Sequence, residues 1–201
     1  MTLHISNGNQ KMGNIPSFSL PAGLTCCGGR NAPCFKDCYA ERLAKIRPSV
    51  REAYEDNLRK LNGNMKECEK FLHLYFDGIN SPRLFRIHVS GDFYSTDYMR
   101  MWLRIADSHP HTQFMAFTKQ FDVVKFFLES IPENFTLIAS AWPGVPLPKW
   151  VEGALPIAYM QDGTETRIPE SAHVCEGDCS GCCRGYCWSM KPGDAVVLPK
   201  H

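Results

Sequence analysis

No run in the chain approaches 18 apolar residues, which excludes a membrane-spanning helix. The amino-terminal stretch Met1 to Gly13 has no apolar segment of the kind a secretory signal needs, so the sequence reads as a soluble, cytoplasmic protein with no membrane partner. An excess of either charge is also missing. Lys and Arg number 22 against 21 Asp and Glu, a net charge of +1, far from the basic balance of a dedicated nucleic-acid binder. The mild local excess at Lys36, Arg42, Lys45, Arg47 and Arg51 reads as a solvated helix face. Internal repeats and low-complexity stretches are absent, and so are the GxSxG, P-loop and HExxH motifs. What remains is 201 residues with 44% hydrophobic, enough to bury a core as one domain over 1–201.

Cysteine is what the chain has in abundance. Ten are present, and in a reducing compartment they are metal ligands sooner than disulfides. Nine fall in two groups: Cys26, Cys27, Cys34 and Cys38, then Cys175, Cys179, Cys182, Cys183 and Cys187. Cys68, beside Met65, Phe71 and Leu72, reads as helix core.

Two periodicities alternate between the groups. Phe85, Ile87 and Val89 alternate with Arg86, His88 and Ser90, a strand closed by Gly91 and Asp92. Ser95 or Thr96 caps a helix whose apolar face is Tyr98, Met101, Trp102, Ile105 and Ala106, stopped by His109-Pro110. Thr112 to Thr118 is the next strand, Asp122 caps another helix, and Phe135 to Ala141, Leu155 to Met160 and Ala195 to Leu198 are further strands. Upstream, Ser17 to Leu20 is a short strand, and Cys34 to Ile46, Ser49 to Leu61 and Met65 to Gly78 read as helices. The pattern predicts an α/β fold of parallel βα units over about 17–160. A full eight-fold barrel needs about 250 residues. The expectation is therefore an open, partial parallel β/α barrel of about five or six strands with a cysteine-rich carboxyl-terminal segment over about 168–194. A doubly wound sheet is the alternative.

Cys27-x6-Cys34-x3-Cys38 follows the first strand and runs into a helix, at the carboxyl-end face where α/β proteins place their sites. Three thiolates leave a coordination position open. Cys175-x3-Cys179-x2-Cys182-x4-Cys187 offers four thiolates that suit zinc or a cubane cluster, and spacing does not choose between them. With few large apolar side chains, 168–194 is expected to owe its order to metal-ligand bonds. Cys26 and Cys183 adjoin chosen ligands and are read as spares; His173 is read as a loop histidine, and the aromatics near Arg184 do not make a nucleic-acid surface. Strand alternation points Arg86, His88 and Ser90 inward, into a hydrated or ligand-filled cavity. Ser90, Asp92 and Lys119 are expected to line a cleft beside the first cysteine group, with His88 deeper in it.

Thr25-Cys26-Cys27, Cys34 and Cys38-Tyr39-Ala40 resemble the cysteine loop of the phage gene product 88 family, and Cys179-x2-Cys182-x4-Cys187-Trp188 is similar to its closing cysteine-Trp motif. Val89-Ser90-Gly91-Asp92-Phe93 and Phe117-Thr118-Lys119 resemble strand ends of related phage proteins that look like diverged radical SAM enzymes. The likeness covers about residues 20–190. It implies an iron-sulfur protein of phage or prophage origin, acting in the bacterial host cytosol. In the radical SAM pattern Cys27, Cys34 and Cys38 would hold a [4Fe-4S] cluster whose open iron takes the amino and carboxylate groups of S-adenosylmethionine, with Ser90, Gly91 and Asp92 at the methionine end. Reductive cleavage of that cofactor on an unidentified substrate is then the expected reaction. A non-catalytic module exchanging electrons with a donor, or using its clusters structurally, is a second reading, and a zinc-stabilised phage binding protein a third.

Overall fold

The computed structural model describes residues 1–179, 182 and 185–199. Eight strands form one open sheet: β1 (Ile5–Ser6), β2 (Ser17–Phe18), β3 (Leu84–Ile87), β4 (Gln113–Thr118), β5 (Phe135–Ala141), β6 (Ile157–Gln161), β7 (His173–Val174) and β8 (Ala195–Pro199). Their order is β1-β2-β3-β4-β5-β6-β8-β7, and every pairing is parallel except β1 with β2. The described strands close no barrel, since β1 and β7 stand at opposite edges. The six expected strands are all present. The two additional ones are edge strands of two residues each, too short for any alternation to show.

Consecutive parallel neighbours need crossovers, and helices supply them: α1 (Tyr39–Ile46), α2 (Pro48–Asp77), α3 (Thr96–Ser108), α4 (Phe121–Val124) and α5 (Val151–Ala154). Side chains of α2, α3, α4 and α5 share one buried core with Phe18, Phe85, Ile87, Phe114, Ala116, Leu137, Ala139, Ile157 and Ala195. A doubly wound sheet would carry helices on both faces, and this distribution overturns that alternative. The opposite face is apolar as well. Met115, Ile138, Ala158 and Val196, each one residue out of phase with the first set, pack under Trp188 and Met190 of the cysteine-rich segment. The expected hydrated interior is thus filled by side chains, and the segment near the carboxyl end is the cover of the sheet's second face.

Local chemistry sets most boundaries. Ser95 Oγ accepts the Tyr98 N–H at 3.2 Å and starts α3. Asn64 has φ −157° inside α2, and its Oδ1 accepts the Glu67 N–H at 3.2 Å, so two helices meet at a capped kink, as the two-helix expectation had it. Two expectations change. Cys34 lies in a turn rather than in a helix, because α1 begins at Tyr39 after the extended Cys38. Asp122 sits in the first turn of α4, which Gln120 precedes as cap, and the helix tightens into a 3-10 turn over Lys125–Ser130. The readings made for Cys183 and Arg184 lie outside the described residues.

Candidate metal-thiolate sites

The first cysteine loop is fastened to the carboxyl ends of β3 and β4. Leu20 N–H donates to the Ser90 carbonyl at 2.9 Å, while Ser19 Oγ accepts from the Val89 and Ser90 amides at 3.2 and 3.3 Å. Thr25 Oγ1 donates to the Pro21 carbonyl at 3.0 Å and accepts the Asp92 N–H at 3.4 Å; Gln120 Nε2 donates to the Thr25 carbonyl at 3.1 Å. The approach is so close that a Cβ on Gly91 would lie 2.7 Å from both Leu20 Cβ and Thr25 Oγ1, and its φ of +85° also favours glycine. Tyr39 Oη donates to the Val89 carbonyl at 2.5 Å, tying the start of α1 to the same strand end.

Asp92 is buried beneath this loop. Its carboxylate accepts from Thr118 Oγ1 at 2.7 Å, the Lys119 amide at 2.8 Å and the Phe93 amide at 2.8 Å, so it joins the end of β3 to the end of β4. Burial raises its pKa, and those hydrogen bonds together with the Lys119 charge act against the rise. Lys119 Nζ lies 5.7 Å from the centre of the Trp142 ring. Both charges reach the cysteines. Burial pushes Cys26 up to about 11, a hydrogen bond from the Gly23 backbone opposes this, Asp92 and Cys38 add to it, and Lys119 opposes it. Cys27 is raised by burial and then by Asp92, Asp122 and Cys34. The charge of Cys38 is thus felt at Cys26, and that of Cys34 at the exposed Cys27. Asp92 and Lys119 act on both Cys26 and Cys27, the two adjoining cysteines of the loop.

Ser90 is buried at the root of the loop, and its Oγ has no hydrogen-bond partner among the described residues. His88 is displaced from the expected inward row. Its φ of +66° breaks the strand's alternation and turns the imidazole to the helix side, where it lies 2.9 Å from Tyr98 Oη and edge-on to Phe93. Burial, with the Arg86 charge adding, pushes it down to about 3, so it is neutral at physiological pH. A shallow concavity of Pro21, Leu24, Glu55, Leu58, Arg59 and Asn62 adjoins the loop on the α2 side and includes neither Asp92 nor Lys119.

The second group lies on the other face of the sheet. Cys175 N–H donates to the Val197 carbonyl at 2.9 Å, and Cys179 N–H to the Lys11 carbonyl at 2.8 Å. Thr136 Oγ1 on β5 donates to the Trp188 carbonyl at 2.7 Å. Trp188 and Met190, two of the segment's few large apolar side chains, are each 5% exposed and anchor it on the sheet. Cys175 and Cys187 pack against the same apolar cluster. Burial pushes Cys187 up to about 12, with the charges of Cys175, Cys179 and Cys182 adding and that of Arg86 opposing. Gly177 N–H donates to Cys175 Sγ at 3.4 Å, and Cys182 Sγ lies 3.8 Å from His173 Nε2. Among the described residues no three His, Cys, Asp or Glu side chains are gathered tightly enough to enclose one metal ion. The donor sets suit thiophilic metals by chemistry, as neighbourhoods of thiols rather than formed coordination shells.

A family model described as Gene product 88 matches residues 3–142. The Gene 88 protein of Mycobacterium phage D29 is 29% identical over 197 residues, covering 84% of this chain and 79% of the relative. The Gene 88 protein of Mycobacterium phage L5 is 29% identical over 170 residues, covering 79% and 71%. No solved structure gives a significant match.

Proposed function

The chain belongs to the phage gene product 88 family, and from that membership and its two groups of thiols we propose that it is an iron-sulfur protein built on a partial β/α barrel. What supports the reading is the fastening of the first cysteine loop to the carboxyl ends of β3 and β4, where parallel α/β sheets put their chemistry, with the Asp92 and Lys119 charges acting on Cys26 and Cys27. Cys34 and Cys38, with Cys26 or Cys27, supply three thiolates to a [4Fe-4S] cluster and leave one iron open. Such a cluster, when bound, supplies one-electron reduction to a molecule at the open position. S-adenosylmethionine is the candidate occupant. Asp92 holds the β3 and β4 ends in register, and Ser90 Oγ keeps free hydrogen-bonding capacity beside them. Gly91 admits the loop, Lys119 offers a cation for a carboxylate, and His88 acts from below by fixing the turn after β3.

Cys175, Cys179, Cys182 and Cys187 form the closed, structural group. Four thiolates within 13 residues on a loop anchored by Trp188 also suit zinc, and this favours a second reading in which the carboxyl-terminal metal is zinc while the first group holds the cluster.

Iron, acid-labile sulfide and zinc measured per chain after oxygen-free purification test both. Iron and sulfide in equal amounts near four per chain, lost on Cys34→Ser, support the open cluster; zinc alone with no sulfide rejects it. Reductive cleavage of S-adenosylmethionine by the iron-loaded protein, absent in Cys34→Ser, separates the enzyme from an electron-transfer module.

A further inference from the structure

Arg86 is the cation at the middle of the sheet's second face, and the described residues give it no carboxylate. No described Asp or Glu lies within ion-pair distance of its guanidinium, and its Nε is buried without a hydrogen-bond partner. What it touches is soft: Nη1 lies 3.4 Å from Met12 Sδ, and the guanidinium sits 5.1 Å from the centre of the Phe117 ring. Met12 belongs to the turn whose Lys11 carbonyl accepts the Cys179 amide, and Phe117 packs in the apolar cluster that Cys175 and Cys187 join. The same cluster holds a second buried donor without a partner, Trp188 Nε1.

Arg86 is half-buried, yet its Nε is shut away from water without a hydrogen-bond partner, and Arg keeps its charge in any setting. A cation placed here with no described carboxylate beside it suits a site that receives a negative charge. Four thiolates around a divalent ion carry a net charge of −2, and around an oxidised cubane cluster the same. We propose that Arg86 is the counter-ion of an anionic metal-thiolate centre formed by Cys175, Cys179, Cys182 and Cys187, so that β3 and the carboxyl-terminal segment are held together by the charge of the bound metal. The Arg86 charge also lowers the thiol pKa of Cys179 and Cys187 against the effect of burial and of neighbouring thiolates, in line with that geometry. The inference rests on the metal-binding reading of the second group and adds a positioning residue outside the ligand set.

The test compares wild type with Arg86→Met and Arg86→Lys. Metal retention is read by competition with a chromophoric chelator, using protein loaded with zinc alone, and thermal stability is read for loaded and metal-stripped protein. Arg86→Met is expected to weaken zinc binding by about tenfold to a hundredfold, the usual scale for a partner outside the ligand shell, with Arg86→Lys close to wild type. The signature is an inversion. Arg86→Met lowers the melting temperature of the loaded protein and leaves that of the stripped protein unchanged or higher, because in the stripped protein the guanidinium lacks its countercharge. Equal zinc affinity in Arg86→Met and wild type overturns the inference and leaves the metal site standing. Equal destabilisation of loaded and stripped protein overturns it too, as plain packing. Wild type that binds no zinc at the second group, with Cys182→Ser no different, overturns the site and the inference together.

Discussion

His88 shows how one dihedral angle decides what a side chain does. Its left-handed φ takes it out of the inward row and sets it, neutral, against Tyr98. The unfolded chain binds a proton at this imidazole below its ordinary 6.5, whereas the native state does not until about 3. Native stability from this group is therefore present above 6.5 and falls as pH drops through that window. Comparing wild type with His88→Gln in urea, the stability advantage of wild type is expected to shrink by about 2 kcal/mol from pH 7 to pH 5. A constant difference would show that His88 titrates normally. Gly91 is the second position where a residue's backbone is decisive. Gly91→Ala combines a φ of +85° with two contacts of 2.7 Å, and is expected to cost about 1–3 kcal/mol from the backbone conformation alone, more with displacement of Thr25. Denaturant midpoints measure the loss, and iron content reports whether the loop was displaced.

The carboxyl-terminal segment is the element whose role the tertiary contacts changed most. Its sequence reads as a loop that folds around metal, yet Trp188 and Met190 are buried on the sheet and Thr136 holds the Trp188 carbonyl. Trp188→Ala is expected to cost about 3–5 kcal/mol in a denaturant titration, by cavity and lost burial. It should also raise the rate at which a protease cuts within 162–185 in metal-loaded protein. Cys182→Ser, by contrast, is expected to lower stability only where metal is bound. If the two variants lost the same stability with and without metal, the apolar anchor and the thiols would not be separable contributions.

For the whole molecule, the continuous sheet from β1 to β7 and the two apolar clusters on its faces are assembled from carbon side chains and backbone hydrogen bonds. Metal removal by a chelator is therefore expected to leave the far-ultraviolet circular dichroism and a cooperative melt in place, with a lower melting temperature. Collapse of the dichroism on chelation would show that the metal holds the fold. The strand Phe135 to Ala141, the stripe of α3 and the break near Asn64 were all legible in the chain, because each depends on side chains a few residues apart. So was the bunching of nine cysteines into two short stretches, which is a matter of spacing along the chain. The edge strands β1 and β7 were not, because two residues hold no period and their pairing comes from a distant strand. The inward turn assigned to His88 failed on a positive φ, which only the folded chain shows. Local periodicity and capping are written in consecutive residues and set the elements. Which face of the sheet a segment covers, and which cation stands on that face, follows from contacts such as Thr136 with Trp188 and Arg86 with Met12, 52 and 74 residues apart in the chain, and those only the tertiary structure decides.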